Sequence, residues 1–370
     1  MHEPTFPSEP TIQRGICYVL FAYDTALSIN LDDAERRTHD TTQRDTIRRK
    51  RRAPSYFEFQ PAPLRITQTV QPFDLGTHQS RANVDLVVYD FGAVSVIYSI
   101  PIHGRFADLL GLSEELYDNQ LLLSDSRRRV EQLLKSMGDA AIKGNIADVV
   151  EDYVVFHIEE LAASVDAREF CAKHSQEIAQ ILRAERKSLS DQEVDDALAS
   201  KISFSSEDFA LVDWNASLLL DREGEDTRAV LEFANVELLE MRYLDQKMDR
   251  ALDQAYETLS KRPWNLPRML GSYAADLRRV AELQVDNALL FEGVNNTLKL
   301  LGDQYLARVY RLVNKRFHLE DWDASILRKL QTLESIYEKI SDQASNQRME
   351  ILEWVIIFLI TFSIALEFVR

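Results

Sequence analysis

Cysteine is scarce in this sequence, and the scarcity excludes two kinds of structural support. Only Cys17 and Cys171 occur, they are far apart, and neither has partners at the spacing of a metal site. A disulfide framework and a zinc centre are therefore excluded, and a reducing compartment is the simpler expectation. The first ten residues also lack the basic flank and apolar core of a secretory signal. We predict a flexible tail over residues 1–14.

Positive charge is in deficit as well. The chain has 43 Lys and Arg against 60 Asp and Glu, so its net charge is -17. Because phosphate contacts need a basic surface, this balance argues against a generic nucleic-acid-binding protein. One basic run nevertheless occurs within a polar segment, residues 32–53, that is predicted to be exposed. It consists of Arg48, Arg49, Lys50, Arg51 and Arg52. Such a run is usually solvated, and the alternative is local contact with RNA or anionic lipid.

Familiar catalytic motifs are missing too. There is no glycine-rich phosphate loop, no Gly-x-Ser-x-Gly elbow and no His-Glu-x-x-His helix. The best remaining set of possible metal ligands is Glu151, Asp152, His157, Glu159 and Glu160. On a strand these side chains divide between the two faces, so a solvated strand surface is favoured over a site. We predict no enzymatic activity, no catalytic residue, no cofactor and no metal.

A second polar cluster surrounds a tryptophan. Asp213 and Asn215 flank Trp214 and place an acid and an amide beside an aromatic ring. A packed tryptophan between two turn-forming residues is the favoured interpretation, and a binding site is the alternative.

Runs rich in β-branched and aromatic residues do occur, and they predict five strands. They lie at residues 15–23, 64–70, 84–89, 93–100 and 152–158. The glycine of Asp90-Phe91-Gly92 can supply a positive φ, which predicts a hairpin between the third and fourth strands. Residues 106–137 have a helical pattern. Together these segments predict a small α/β head domain over residues 15–165.

After Cys171 the apolar spacing becomes helical and strand-like runs become rare. Short connecting helices are predicted over residues 166–229, one of them with a capping box of Ser190 and Glu193. A long helical hairpin or stalk is predicted over residues 230–350. Its first helix has apolar residues at alternating spacings of three and four, as in a coiled coil. The predicted oligomer seam consists of Leu231, Leu238, Met241, Met248, Leu252 and Leu259.

The chain ends in an apolar helix, predicted here as a transmembrane anchor over residues 351–370. Its apolar members are Trp354, Val355, Ile356, Ile357, Phe358, Leu359, Ile360, Phe362, Ile364 and Leu366. A helix of about 19 residues spans roughly 28 Å, near the thickness of a hydrocarbon core, with Glu353 and Glu367 close to the two interfaces. The alternative is a helix buried in a bundle or an oligomer core. The predicted location is the cell inner membrane, single-pass, with the N-terminal body in the cytoplasm.

Three segments carry a resemblance to a known family. Residues 85–98, residues 231–243 and residues 347–360, where Glu353-Trp354 opens the aliphatic run, are similar to the required-for-meiotic-nuclear-division family, a domain of unknown function. The resemblance implies a homo-oligomeric, membrane-anchored protein without enzymatic activity. Eukaryotic relatives sit at the inner mitochondrial membrane and support organellar translation. The sequence departs from the family after Tyr98, where Ser99-Ile100 replace an expected Trp-Gly pair.

These observations predict an α+β fold: a small N-terminal α/β domain, a long coiled-coil-like stalk and a C-terminal transmembrane helix. The predicted function is a non-enzymatic, membrane-tethered homo-oligomeric scaffold that presents a partner-binding head, with the resemblance suggesting membrane-associated translation. Its expected partners are the lipid bilayer, further copies of the chain and an unidentified protein. The alternative is an oligomeric ion channel or transport component with one pore helix per subunit.

Overall fold

The computed structural model describes residues 9–38, 41–44, 61–163, 165–260, 285 and 304–368. Side chains are described throughout these ranges except at residues 41–44, 258–260, 340–348, 350, 351, 362 and 364–368. The predicted basic run, residues 48–52, lies outside the described residues. So does most of the second helix predicted for the stalk, residues 261–303.

A nine-stranded sheet forms the centre of the described body. In spatial order its strands are β11 (Lys201–Ile202), β12 (Phe209–Val212), β13 (Ala216–Leu220), β10 (Val150–Leu161), β1 (Thr11–Asp24), β8 (Ala93–Arg105), β7 (Asn83–Val88), β4 (Leu64–Thr69) and β3 (Thr41–Arg44). Neighbouring strands are antiparallel except β10 and β13, which are parallel. Two small ladders accompany the sheet: β2 (Ser28–Ile29) with β9 (Ala141–Ile142), and β5 (Asp74–Leu75) with β6 (His78–Gln79).

The five strands expected from composition are confirmed, with small differences at their ends. β1 is the central strand, where Val19 lies opposite Val154 of β10 and Tyr98 of β8. Its nearly unbroken apolar run follows from burial on both faces of the sheet. The β7–β8 hairpin is also confirmed, and Gly92 at its turn has φ of +107°. A Cβ there would lie 1.8 Å from the carbonyl oxygen of Ala26, so only glycine fits this turn.

Helices cover both faces of the sheet. The described helices are α1 (Leu31–Arg37), α2 (Leu109–Leu116), α3 (Gln120–Met137), α4 (Ala167–Lys173), α5 (Ser175–Arg183), α6 (Asp191–Leu198), α7 (Glu225–Ser260), α8 (Gln304–Arg316) and α9 (Leu319–Phe368). Short 3-10 turns occupy Phe106–Asp108 and Gly138–Ala140. The predicted cap of α6 is confirmed, because the backbone N–H of Glu193 donates to Ser190 Oγ at 3.3 Å.

Two apolar clusters bind these helices to the sheet. One joins Val19 and Phe156 of the sheet to Val130 of α3 and Ile178 of α5. The other joins Leu20, Ile97, Val155 and Leu219 on the opposite face to residues 230–239 of α7 and to α8 through Val309 and Val313. The body therefore has three layers, with one sheet between two layers of helices.

The chain divides into two compact units. The first comprises residues 1–243 and 289–322 and contains the sheet. The second comprises residues 244–288 and 323–370. Within the second unit, Met248 of α7 and Leu333 of α9 are buried. Lys329 Nζ lies 2.7 Å from Asp245 Oδ1 and 2.6 Å from Asp249 Oδ1, which ties the two helices together.

The predicted fold class is wrong in its proportions. The sheet does not end near residue 165, because β11, β12 and β13 add three strands where connecting helices were expected. Residues 230–239 of α7 cover the sheet instead of entering a stalk. The short runs of β12 and β13 are buried throughout and show no alternation, so they give no strand period to recognise. The fold is a mixed α/β body built on one large sheet.

The predicted transmembrane helix is a second correction. No helix within the described ranges is long and apolar enough to cross a membrane. Residues 354–366 between Glu353 and Glu367 number 13 and would span about 20 Å, against about 30 Å of hydrocarbon. The finding overturns the anchor assigned to Trp354, Val355, Ile356, Ile357, Phe358, Leu359, Ile360, Phe362, Ile364 and Leu366. The predicted single-pass location in the inner membrane is therefore not supported either. The channel alternative requires the same membrane-spanning helix.

Candidate functional sites

A cleft lies at one edge of the sheet, where the parallel strands β10 and β13 end. Parallel neighbours bring their carboxyl ends to the same edge, and this is where ligands commonly bind in open sheets. The cleft has a volume of about 350 Å³, near the lower end of the range for small-molecule pockets. Its polar lining consists of Gln13, Glu159, Glu160, Ser205, Glu207, Asp208, Asp221 and Arg222.

Hydrogen bonds to the backbone fix the wall that carries Asp208. The Asp208 carboxylate accepts from the backbone N–H groups of Phe204 at 2.7 Å and Ser205 at 3.0 Å. The loop before β12 is thereby closed on itself. Asp208 is a structural member of the lining, whereas Glu207 carries no such backbone bond among the described contacts.

The cleft is acidic. Among the residues that the structure describes, five carboxylates line it against one cation, Arg222. A second cation reaches it from β1, since Arg14 Nε lies 2.5 Å from Glu159 Oε2 and its Nη2 lies 3.7 Å from Glu160 Oε2. The remaining excess of carboxylate favours a cationic group over an anion. Within the described ranges, no group of three or more His, Cys, Asp and Glu side chains is arranged to hold a metal ion.

His157 lies beside this cleft but is not part of its lining. The ring is 2% exposed, and its Nε2–H donates to the carbonyl oxygen of Asp221 at 2.7 Å. That bond leaves Nδ1 as the nitrogen with the lone pair, and Nδ1 has no hydrogen-bond partner among the described residues. Burial lowers the pKa of His157, with the nearby Asp221 carbonyl and Glu159 opposing that shift. The ring is therefore a neutral group that holds the β13–α7 connection.

The structure separates the five residues considered together as metal ligands. Glu159 and Glu160 reach the cleft, whereas Glu151 and Asp152 begin the same strand, about 25 Å away for eight residues of extended chain. Burial raises the pKa of Glu151 to about 7, and the Arg242 guanidinium that pairs with it opposes this shift. Asn235 Nδ2 also donates to the Glu151 carbonyl at 3.3 Å. Both partners belong to α7, so Glu151 helps to attach α7 to the sheet.

Within the Asp213-Trp214-Asn215 cluster, Asp213 belongs to a buried ion-pair network. Asp213 is 1% exposed and accepts from Arg316 Nε and Arg183 Nε, both at 3.1 Å. Trp214 is 47% exposed and stacks on His318 with 5.2 Å between ring centroids. The predicted packed tryptophan is thus half-exposed. No local pattern could reveal the network, because Arg316 lies 103 residues after Asp213.

The predicted oligomer seam has intramolecular partners along much of its length. Leu231, Leu238, Met241 and Met248 are buried, Leu252 is half-buried, and the side chain of Leu259 lies outside the described residues. Leu231 and Leu238 pack in the cluster that joins α7 to the sheet. This packing explains their spacing without a second copy of the chain. Their role between copies stays a prediction.

The far end of α9 presents a different surface. Eight large apolar side chains there are between 47% and 69% exposed, and they lie on every side of the helix. They are Leu352, Trp354, Val355, Ile356, Ile357, Phe358, Leu359 and Ile360. An exposed apolar patch of this extent is typical of a contact surface.

Comparison with known proteins adds a family. The chain is 24% identical over 329 residues to "Uncharacterized protein MJ0711" from Methanocaldococcus jannaschii, and the alignment covers 87% of this chain and 90% of the relative. No solved structure matches the chain. The family described as "Uncharacterized protein MJ0711, N-terminal domain" matches residues 14–227, which is more than half of the sequence and includes the described strands of the sheet except for the first three residues of β1. The chain therefore belongs to that family.

Proposed function

We propose that this protein is a homo-oligomeric scaffold, in which the end of α9 joins copies of the chain and the sheet body presents a binding surface. The observation that carries the proposal is the exposed apolar end of α9, Leu352 and residues 354–360. The resemblance noted for residues 347–360 also supports assembly, because it implies a homo-oligomer.

Burial of this surface provides the driving force for assembly. Fully burying one large apolar side chain is worth about 1.5–3 kcal/mol. Eight such side chains on one helix end exceed what a stable monomer usually leaves in water. Because these side chains are already partly buried, their gain on association is of the same order as the entropic cost of roughly 4–15 kcal/mol that it has to offset.

The test is the mass of the protein in solution. We expect the full chain, of 42.6 kDa, to form one discrete species at an integer multiple of that mass by analytical ultracentrifugation at micromolar concentration. A chain that ends at Glu350 should be monomeric. Its far-ultraviolet circular dichroism should show that the sheet body is still folded. A monomeric full chain, or a broad distribution of aggregates, contradicts the proposal.

The acidic cleft supports a second candidate function, the binding of a cationic group from a partner. Its observation is the excess of lining carboxylates over cations. Titration with a lysine-rich peptide should show weak binding that falls as salt is raised, because the attraction is electrostatic. Glu207→Gln should weaken it several-fold, and Glu131→Gln on α3, whose carboxylate is 48% exposed outside the cleft, is the matched control. If the affinity for the peptide is unchanged by salt and by Glu207→Gln, the cleft does not have this function.

A further inference from the structure

The exposed end of α9 carries a heptad pattern that specifies how copies would meet. Met349 and Ile356 are seven residues apart, and Leu352 and Leu359 follow each of them by three. These four side chains occupy the a and d positions of a coiled coil, and each is between 55% and 60% exposed. A stripe with this spacing is complementary to a second copy of itself.

Charge selects between the two possible directions. In an antiparallel pair of this seam, Met349 of one copy would lie opposite Leu359 of the other and e positions would face each other, so the two Glu353 carboxylates would lie close together. In a parallel pair in register, Glu353 takes an e position and Arg348, five residues earlier, takes a g position. Residues at g and e flank the seam of neighbouring helices and pair when their charges are opposite.

From this pattern we infer that the ends of α9 associate in parallel and in register, with Met349, Leu352, Ile356 and Leu359 forming the seam between copies. The inference rests on the proposed function and specifies its interface. The occupant of the apolar surface is the same segment of another copy. Val355 and Ile360, at the g and e positions beside the seam, extend the apolar contact.

Homotypic disulfide formation tests the register. Leu352→Cys and Leu359→Cys each place a thiol at a d position, where parallel copies bring identical residues together. Thr361→Cys is the matched control, because Thr361 is exposed at an f position on the side away from the seam. The two natural cysteines can stay, since both are buried. We expect mild oxidation to cross-link both seam variants at least tenfold faster than the control.

A charge exchange tests the direction independently. Arg348→Glu and Glu353→Arg should each lower the association constant several-fold, and the double variant should restore it. The parallel register is wrong if the control cysteine cross-links as fast as the seam cysteines, or if the double variant does not regain the association constant. Either result would leave assembly itself in place. A full chain that is monomeric in ultracentrifugation overturns assembly itself, so the two failures are distinguishable.

Discussion

At the scale of single residues, Gly224 packs closely against the ring of His157 beside the cleft. A Cβ at Gly224 would lie 2.8 Å from His157 Nε2 and 3.3 Å from two ring carbons. The ring cannot retreat, because it is buried and its Nε2–H bonds to the Asp221 carbonyl. Gly224 therefore allows the connection between β13 and α7 to lie directly on the imidazole.

This contact gives a first prediction. Gly224→Ala should destabilise the body by about 1–3 kcal/mol, the usual cost of overpacking a closed interior. Gly111→Ala is the control, because Gly111 lies within α2 and a Cβ there meets no atom within 4 Å. That control should be neutral or more stable by up to about 1 kcal/mol through helix propensity. Urea denaturation of both variants measures the difference, and equal stabilities would refute the steric argument.

Glu151 gives a prediction about pH. Its folded pKa of about 7 lies above the ordinary value of 4.5, so the folded state binds the proton more tightly. The stability gained from protonation is complete below about pH 4.5 and is lost as pH rises through about 7. Relative to Glu151→Gln, the wild type should lose at most about 3 kcal/mol across this window.

Thermal denaturation of wild type and Glu151→Gln at pH 5 and pH 8 measures that loss. The difference in Tm between them should widen at pH 8. Arg242→Met should widen it further, because the Arg242 guanidinium is the largest influence that lowers the pKa of Glu151. A difference in Tm that is the same at both pH values would show that Glu151 ionises normally in the folded protein.

At the scale of elements, the sequence predicts those whose pattern is local and fails where burial removes the pattern. β1, β4, β7, β8 and β10 have long runs of β-branched and aromatic residues, and all five were found near their predicted places. β12 and β13 have four and five residues without alternation, so they were missed. The helical period of α7 is visible, but the same spacing serves a coiled-coil seam and a helix buried on a sheet. Periodicity therefore could not decide what α7 covers.

The candidate sites follow the same division. The apolar end of α9 was visible as a run of residues, although its interpretation as a membrane span was wrong. Glu159 and Glu160 were identified as polar residues on a strand, but Glu207, Asp208 and Asp221 join them only because β10 and β13 are parallel neighbours. Strand pairing of this kind depends on contacts more than 50 residues apart, which no local pattern specifies.

The ion-pair network around Asp213 gives the prediction for this scale. Asp213 follows β12, Arg183 ends α5, and Arg316 ends α8, so one buried carboxylate joins three elements. Asp213→Asn should destabilise the body by about 3–5 kcal/mol, because it leaves two guanidinium groups without their shared buried anion. Glu193→Gln is the control: Glu193 also pairs with Arg183 but is 52% exposed. Its effect should stay within about 1 kcal/mol in chemical denaturation.

For the whole molecule, the region that matches the family model ends before the folded body does. The match ends at residue 227, the third residue of α7. Among the described residues, the helices that cover the apolar face with Leu20, Ile97, Val155 and Leu219 lie beyond that point, in α7 from residue 230 onward and in α8. The matched region therefore lacks the helices that cover this face of its sheet.

A fragment of residues 1–227 should consequently fail to fold as a cooperative unit. It leaves one face of the sheet in water, and large exposed apolar surfaces of this kind cause aggregation or a loosely packed state. We expect it to bind a hydrophobic dye strongly, to lack a sharp thermal transition and to lose near-ultraviolet circular dichroism. The chain that ends at Glu350 keeps α7, α8 and the buried part of α9, so it should melt cooperatively under the same conditions. A cooperative transition in the 227-residue fragment would show that α7 and α8 are dispensable for the sheet, and would restore the smaller independent head domain that the sequence pattern suggested.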